Sequence, residues 1–126
     1  MKKIAGITLA LLALSAGLAL AQQITVAKLA VGTDIKKDEL IGQAKSFSAE
    51  IPGVYCWAKL SVQAGTKLKL VWTLNKVPVN QSVMEIPKTS DSYIFTAFRR
   101  VSPGSWTVEL QDGMDQTLAQ TAFKVK

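Results

Sequence analysis

The sequence predicts an all-β domain, a two-layer antiparallel sandwich of about seven strands. Apolar and polar residues alternate with a period of two along most of the chain after residue 22. Turn signals such as Asp112-Gly113 interrupt this alternation at short intervals, and no long stretch shows the 3.6-residue stripe of an amphipathic helix. Short strands joined by frequent turns are typical of an immunoglobulin-like sandwich.

Seven segments have the length and alternation of strands. They are residues 23–31, 54–61, 67–74, 79–86, 93–99, 105–111 and 116–125. Segment 67–74 alternates most strictly, so Leu68, Leu70 and Trp72 are predicted to face the core while lysines face solvent. Trp106 is predicted to be buried for the same reason. The Asp112-Gly113 pair predicts a tight hairpin turn of the primed type.

Charge indicates whether the second and third strands pair with each other or lie in different sheets. If segments 54–61 and 67–74 formed one hairpin, Lys59 would lie near Lys67 or Lys69 on the same face. Like charges placed opposite each other are destabilising. A crossover from one sheet to the other is therefore favoured between these strands.

Residues 32–53 form a polar and irregular connection. The charged run from Asp34 to Glu39 has room for one helical turn, whereas Gly42, Pro52 and Gly53 favour a long loop. Whichever form it takes, a connection of this length must pack somewhere on the sandwich.

The first 21 residues have the features of a signal peptide. Lys2 and Lys3 precede an apolar run over residues 4–14, and Ala19 and Ala21 supply the small residues that signal peptidase requires. The sequence therefore predicts export to the periplasm or the medium, with a mature domain over residues 22–126. The alternative is a retained membrane anchor, because the apolar run approaches the length that spans a bilayer. After cleavage no stable membrane span is expected.

The charge balance is mildly basic. The formal net charge of +6 falls to about +4 when Lys2 and Lys3 are removed. A basic surface outside the cytoplasm attracts anionic envelope polymers or glycans, although it also serves simply to keep a protein soluble. The lysines are scattered and the predicted compartment lacks nucleic acid, so no nucleic-acid partner is expected.

The composition argues against an enzyme. The chain has no histidine and one cysteine, which excludes His-based acid–base catalysis, His metal sites and an intramolecular disulfide. Cys56 is either a reactive or intermolecular thiol, or a small buried residue alternating inward with its neighbours. Asp112 and Asp115 supply too few oxygen ligands for calcium. We expect no catalytic residue, no metal and no cofactor.

The candidate binding residues are Tyr55, Trp57 and Lys59. They alternate with Cys56 and Ala58, so they lie on the opposite face of the strand from the predicted core. Flat aromatic rings beside a cation suit a sugar ring or an acidic partner protein. The alternative is that the 32–53 connection folds over this face and buries Trp57.

Two residues of a later strand have the spacing to extend this strip. Phe95 and Arg99 share a parity on segment 93–99. They are therefore predicted to continue the strip if segments 54–61 and 93–99 are neighbours.

Several short motifs resemble an uncharacterised family of bacterial extracytoplasmic proteins, called domain of unknown function 2914. The matching segments are 35–42 (IKKDELIG), 46–47 (SF), 54–57 (VYCW), 71–72 (VW) with Asn75, and 102–109 (SPGSWTVE). The resemblance covers residues 35–125. It implies a small exported or membrane-tethered β-domain, and it implies no activity or catalytic residue.

These observations predict a non-catalytic binding or structural module of the bacterial cell envelope. A protein-interaction or accessory role is the first hypothesis, and binding of an envelope glycan is the alternative. An exposed strip of Tyr55 and Trp57 would favour the glycan, whereas an open sheet edge or an apolar patch would favour a protein partner. A closed carboxylate cleft would instead indicate an enzyme.

Overall fold

The structure is a computed structural model that describes residues 24–126. The predicted signal peptide and its cleavage site lie outside these residues. The described strands are β1 (Thr25–Gly32), β2 (Asp34–Lys36), β3 (Glu39–Ile41), β4 (Ser46–Phe47), β5 (Val54–Val62), β6 (Lys67–Leu74), β7 (Val77–Glu85), β8 (Ser90–Arg99), β9 (Gly104–Asp112) and β10 (Thr117–Val125). Within this range no helix is long and apolar enough to cross a membrane.

The strands form an immunoglobulin-like β-sandwich, as predicted. One sheet has the order β4-β10-β9-β6-β7, and the other has the order β1-β5-β8. All pairings are antiparallel except the short parallel contact between β4 and β10. The seven long strands correspond to the seven predicted ones, and β2, β3 and β4 are short additions within the 32–53 connection.

The predicted crossover is confirmed, because β5 and β6 lie in different sheets. Lys59 pairs across the ladder with Lys28 on one side and Ile94 on the other, whereas Lys67 pairs with Glu85. Lys59 and Lys67 therefore lie apart, as predicted. A different lysine, Lys28, lies opposite Lys59.

The core fills the space between the two sheets. On β5, Cys56, Ala58 and Leu60 are fully buried, and on β6, Leu68, Leu70 and Trp72 are buried in the same layer. Trp106, Phe123 and Phe47 form an aromatic cluster with Trp72, in which the two tryptophan rings meet edge to face at 6.4 Å. The period-two alternation therefore predicts the inward face of these strands correctly.

The turns follow from residues that accept a left-handed backbone. Asn75 and Lys76 have φ values of 49° and 71° and join β6 to β7, as a two-residue primed turn requires. The turn at Asp112-Gly113 differs from the prediction. The chain instead makes a longer loop in which Asp115, with φ 64°, is left-handed and Asp112 N–H donates to the Gln116 carbonyl. The prediction of a two-residue primed turn was wrong because Asp112 uses its side chain to hold the loop.

Candidate functional site

The predicted binding residues lie on the outer face of the β1-β5-β8 sheet. Tyr55, Trp57 and Lys59 alternate along β5 with core residues, so their side chains point away from the sandwich. Tyr55 and Trp57 are half-buried and Lys59 is exposed. The strand thus presents one dry face and one face available for contacts.

A hairpin formed by β2 and β3 lies over part of this face. Lys37 and Asp38 both have positive φ, which reverses the chain between the two short strands. The indole Nε1 of Trp57 donates a hydrogen bond to the Asp38 carbonyl oxygen over 2.9 Å. The charged run from Asp34 to Glu39 is therefore a hairpin held onto the sheet, not a helical turn.

The hairpin approaches β1 closely at Gly32. A Cβ atom at this position would lie 2.6 Å from the Ile41 carbonyl oxygen and 2.8 Å from a Leu40 methyl carbon. Any larger residue would push the hairpin outward. Gly32 thus allows the hairpin to sit low enough for the bond between Trp57 and Asp38.

This arrangement decides between the two readings of Trp57. The 32–53 connection does fold over the outer face, but it leaves Trp57 half-buried beside an open depression. Trp57 is therefore held by the hairpin through its indole N–H, while part of its ring stays exposed.

The depression has a volume of about 410 Å³. Its walls come from β1, from the hairpin, from β5 and from β8. The lining residues are Lys28, Lys37, Asp38, Glu39, Leu40, Trp57, Lys59, Ser92 and Ile94. We call this depression the Trp57 pocket.

The Trp57 pocket carries a small net positive charge. Three lysines and two acidic residues line it, which gives a net charge of +1. The Nζ atom of Lys28 lies 5.9 Å from the centroid of the Trp57 ring, within the range of a cation–π contact. An anionic group entering the pocket would meet ammonium donors from two strands and the hairpin.

The depression continues along β8. A second open region of about 500 Å³ shares Asp38, Ser92 and Ile94 with the Trp57 pocket and extends over residues 87–90. The two regions adjoin at these three residues and form one open groove along β8.

Tyr55 lies outside the Trp57 pocket. Its ring packs against Phe98, with centroids 4.9 Å apart, and Phe98 is 47% exposed. The structure therefore brings Trp57 and Lys59 into one site and places Tyr55 in a neighbouring aromatic contact.

The prediction that Phe95 and Arg99 extend the strip is wrong. Strand β8 does neighbour β5, but Phe95 pairs with Ala58 and Arg99 pairs with Val54, both on the inward face. Phe98, paired with Tyr55, is the aromatic residue that continues the strip. The sequence shows that Phe98 lies on the opposite face of β8 from Phe95. It does not show which of these two faces continues the outer face of β5, because that depends on the register between the strands.

The structure gives evidence on two of the chemistries that the sequence raised, metal binding and a reactive thiol. No group of three or more His, Cys, Asp and Glu side chains in residues 24–126 could hold a metal ion. Cys56 is confirmed as a buried strand residue, and burial raises the pKa of its thiol to about 12. A thiol with this pKa is protonated at neutral pH and is a poor nucleophile.

The acidic loop between β9 and β10 has a structural role. The Oδ1 atom of Asp112 accepts hydrogen bonds from the backbone N–H groups of Met114, at 2.8 Å, and Gln116, at 3.0 Å. Asp115 Oδ1 lies 2.5 Å from Lys69 Nζ. Through these contacts both carboxylates hold the loop between β9 and β10 in place.

Comparison with known proteins gives no family for this chain. No protein-family model matches it. The search of curated proteins also found no match.

Proposed function

We propose that this protein is a non-catalytic exported module of the bacterial envelope that binds a partner protein, with an acidic extended segment of that partner held in the Trp57 pocket. The observation that carries the proposal is the convergence of Lys28, Lys37 and Lys59 on one open groove beside Trp57. Ammonium groups and an indole ring together recognise carboxylates carried on a partly apolar chain.

The rigid setting of the pocket supports this proposal. Three of its walls are strands of a packed sheet, and the fourth, the hairpin, is fixed by the bond from Trp57 to Asp38. A backbone held in place before binding loses little conformational freedom when a ligand arrives. The groove along β8 gives an extended segment room to continue beyond the lysines.

The geometry favours a protein segment over a glycan. Sugar rings stack on open aromatic faces, but Lys28 lies over the Trp57 ring and Phe98 packs against Tyr55. The indole N–H is also already engaged by the hairpin. Binding of a glycan is the competing outcome that the binding test below distinguishes.

The test compares two labelled probes against the exported protein. One is a peptide of glutamate and leucine residues, and the other is an oligogalacturonate of similar charge. We expect the peptide to bind with an affinity that falls as salt rises, because the contacts are between exposed charges. Tighter binding of the oligogalacturonate would overturn the proposal in favour of the glycan.

A pair of charge reversals locates the contact. Lys59→Glu, inside the pocket, should weaken peptide binding about tenfold, in line with the loss of a charge-assisted contact and the gain of a repulsion. The matched control is Arg100→Glu, which makes the same reversal at an exposed residue after β8, outside the pocket. Equal weakening by both variants would show attraction to net charge alone and would exclude a pocket site.

Export is tested separately. The Ala19-Leu20-Ala21 ending predicts cleavage after Ala21, so the exported protein should begin at Gln22 or at its cyclised form. Intact-mass spectrometry of exported material measures this directly. A full-length mass in the membrane fraction would instead identify residues 4–21 as an anchor.

A further inference from the structure

We infer that strand β7 is a self-pairing edge through which two copies of this chain form a dimer with an antiparallel β-ladder centred on Val83. The inference is independent of the Trp57 pocket, because β7 belongs to the other sheet. Strand β7 forms one edge of the five-stranded sheet. The opposite edge is β4, which has only two residues.

Strand β7 extends beyond the sandwich. Eight of its nine residues are exposed and only Met84 is half-buried. Strand β6 is the only strand with which it makes extensive contact among residues 24–126. Both of its faces and its outer edge are therefore open to a partner strand.

The backbone groups that point outward can be assigned from the ladder. Ile86 N–H donates to the Thr66 carbonyl over 2.8 Å, continuing the register in which Glu85 pairs with Lys67. Backbone groups alternate in direction along an antiparallel strand. Gln81, Val83 and Glu85 therefore direct their N–H and C=O groups away from β6.

Features that prevent pairing with another strand occur only near the start of β7. Pro78 and the register shift opposite Trp72 and Thr73 interrupt the ladder near the start of β7. Glu85 is the only charged residue of the strand, and residues 81–84 have no charge, proline or bulge. Natural edges are commonly protected by these features, so the unprotected stretch over residues 81–84 favours a pairing partner.

The lysine nearest to Val83 does not protect it. Lys69 pairs with Val83 across the ladder, but its Nζ atom lies 2.5 Å from the Asp115 carboxylate. The ammonium is thereby held toward the loop between β9 and β10. Val83 stays 67% exposed, the most exposed of the large apolar side chains among the described residues.

A second copy matches this edge better than an arbitrary strand does. With a twofold axis at Val83, Val83 meets its own symmetry mate, and Gln81 of each copy lies opposite Glu85 of the other. The amide of Gln81 can donate to the Glu85 carboxylate, and no two carboxylates are opposed. All three outward N–H groups of each copy then find an outward carbonyl of the other. Because the ladder is short, we expect a weak dimer in fast exchange.

The first test measures self-association of the exported protein by sedimentation. We expect the weight-average mass to rise toward that of a dimer between about 10 µM and 1 mM, the range of a weak interface. Val83→Lys should keep the protein monomeric over the same range. The matched control is Val77→Lys, the same substitution at another exposed valine of β7. Val77 is 59% exposed and lies outside residues 81–85. A monomeric parent protein at the highest concentration would overturn the inference.

The second test determines the register by cysteine cross-linking. A hydrogen-bonded antiparallel pair has Cα atoms about 5.5 Å apart, a separation that a disulfide spans. Since Cys56 is buried, a new cysteine is the one reactive thiol among the described residues. Val83→Cys should therefore give a covalent dimer under mild oxidation, while Val77→Cys should not. Preferential cross-linking of Gln81→Cys would move the axis and overturn the register proposed here, and equal cross-linking at all three positions would indicate random collision.

Discussion

The described residues contain two groups of aromatic side chains, and the two groups have different roles. One group (Phe47, Trp72, Trp106 and Phe123) lies between the sheets and is buried. The other (Tyr55, Trp57 and Phe98) lies on the outer face of the smaller sheet and is partly exposed.

Each group uses an indole N–H to fix a nearby segment. Trp106 Nε1 donates to the Ser102 carbonyl over 2.8 Å, and Trp57 Nε1 donates to the Asp38 carbonyl over 2.9 Å. The bond itself is the same in both places. The difference is burial, which decides whether the rest of the ring stabilises the fold or stays available for binding. The comparison shows that tryptophan content alone does not identify a binding surface.

The largest expected effect is on the inner group. Trp72→Ala should lower the free energy of unfolding by about 3–5 kcal/mol, because a 2%-exposed indole leaves a large cavity when truncated. Chemical denaturation of the parent and the variant measures this. Trp57→Ala in the same assay is the comparison, and an equal loss of stability in the two variants would remove the distinction between the groups.

A second change tests the dry face of β5. Cys56→Ser should cost about 1–3 kcal/mol, since it buries a hydroxyl where the surrounding side chains are apolar. Cys56→Ala is the control, because it removes the sulfur without adding a polar group. If the serine variant were as stable as the alanine variant, a partner for the hydroxyl would have to exist.

The thiol also gives a pH signature. Its pKa is raised from 9.0 to about 12 in the folded protein, so the folded state holds this proton more tightly than the unfolded state. The stability contributed by the protonated thiol is complete below pH 9 and is lost as the pH rises toward 12. The difference in unfolding free energy between the parent and Cys56→Ala, measured across this range, isolates the effect. A difference that does not change with pH would contradict it.

Substitutions in the outer group of aromatic residues should lower the free energy of unfolding less than Trp72→Ala does. Trp57→Phe keeps a ring but loses the hydrogen bond to Asp38, at an expected cost of about 1 kcal/mol. Amide hydrogen exchange in β2 and β3 should accelerate while exchange in β6 and β9 stays unchanged. Acceleration throughout the sandwich would show that Trp57 supports the whole fold.

The smallest effect is expected at Phe98. Phe98→Ser removes the contact with Tyr55 from a position that is 47% exposed, so we expect a loss of about 0.5–1 kcal/mol. Thermal unfolding and peptide binding should both be measured. A loss as large as that of Trp72→Ala would place Phe98 in the core instead of on the outer strip.

Much of the fold could be predicted because alternation reports which side of a strand is buried. Leu68, Leu70 and Trp72 share a face with a period of two, and the structure buries all three. The crossover between β5 and β6 was also predicted correctly, although the rule behind it, that like charges avoid each other across a ladder, does not hold where Lys28 lies opposite Lys59. These inferences concern residues close in sequence, where backbone geometry fixes the direction of each side chain.

The candidate site could be predicted only in part. Trp57 and Lys59 follow from the parity of one strand, and both line the pocket. Lys28, Lys37 and Ser92 come from three other segments, and no local pattern marks them. Their approach to Trp57 depends on the register of β1 and β8 against β5 and on the fold of the hairpin.

Residue patterns along the chain are enough to predict an all-β domain, its seven long strands and the inward face of β5 and β6, and the composition excludes histidine chemistry. Contacts between distant segments place Phe98 instead of Phe95 on the outer strip and dock the 32–53 connection over the part of that strip at Trp57. The physical reason is that parity is a property of a single chain segment. Register and docking depend on pairing between distant segments, where a shift of one residue exchanges the two faces of a strand.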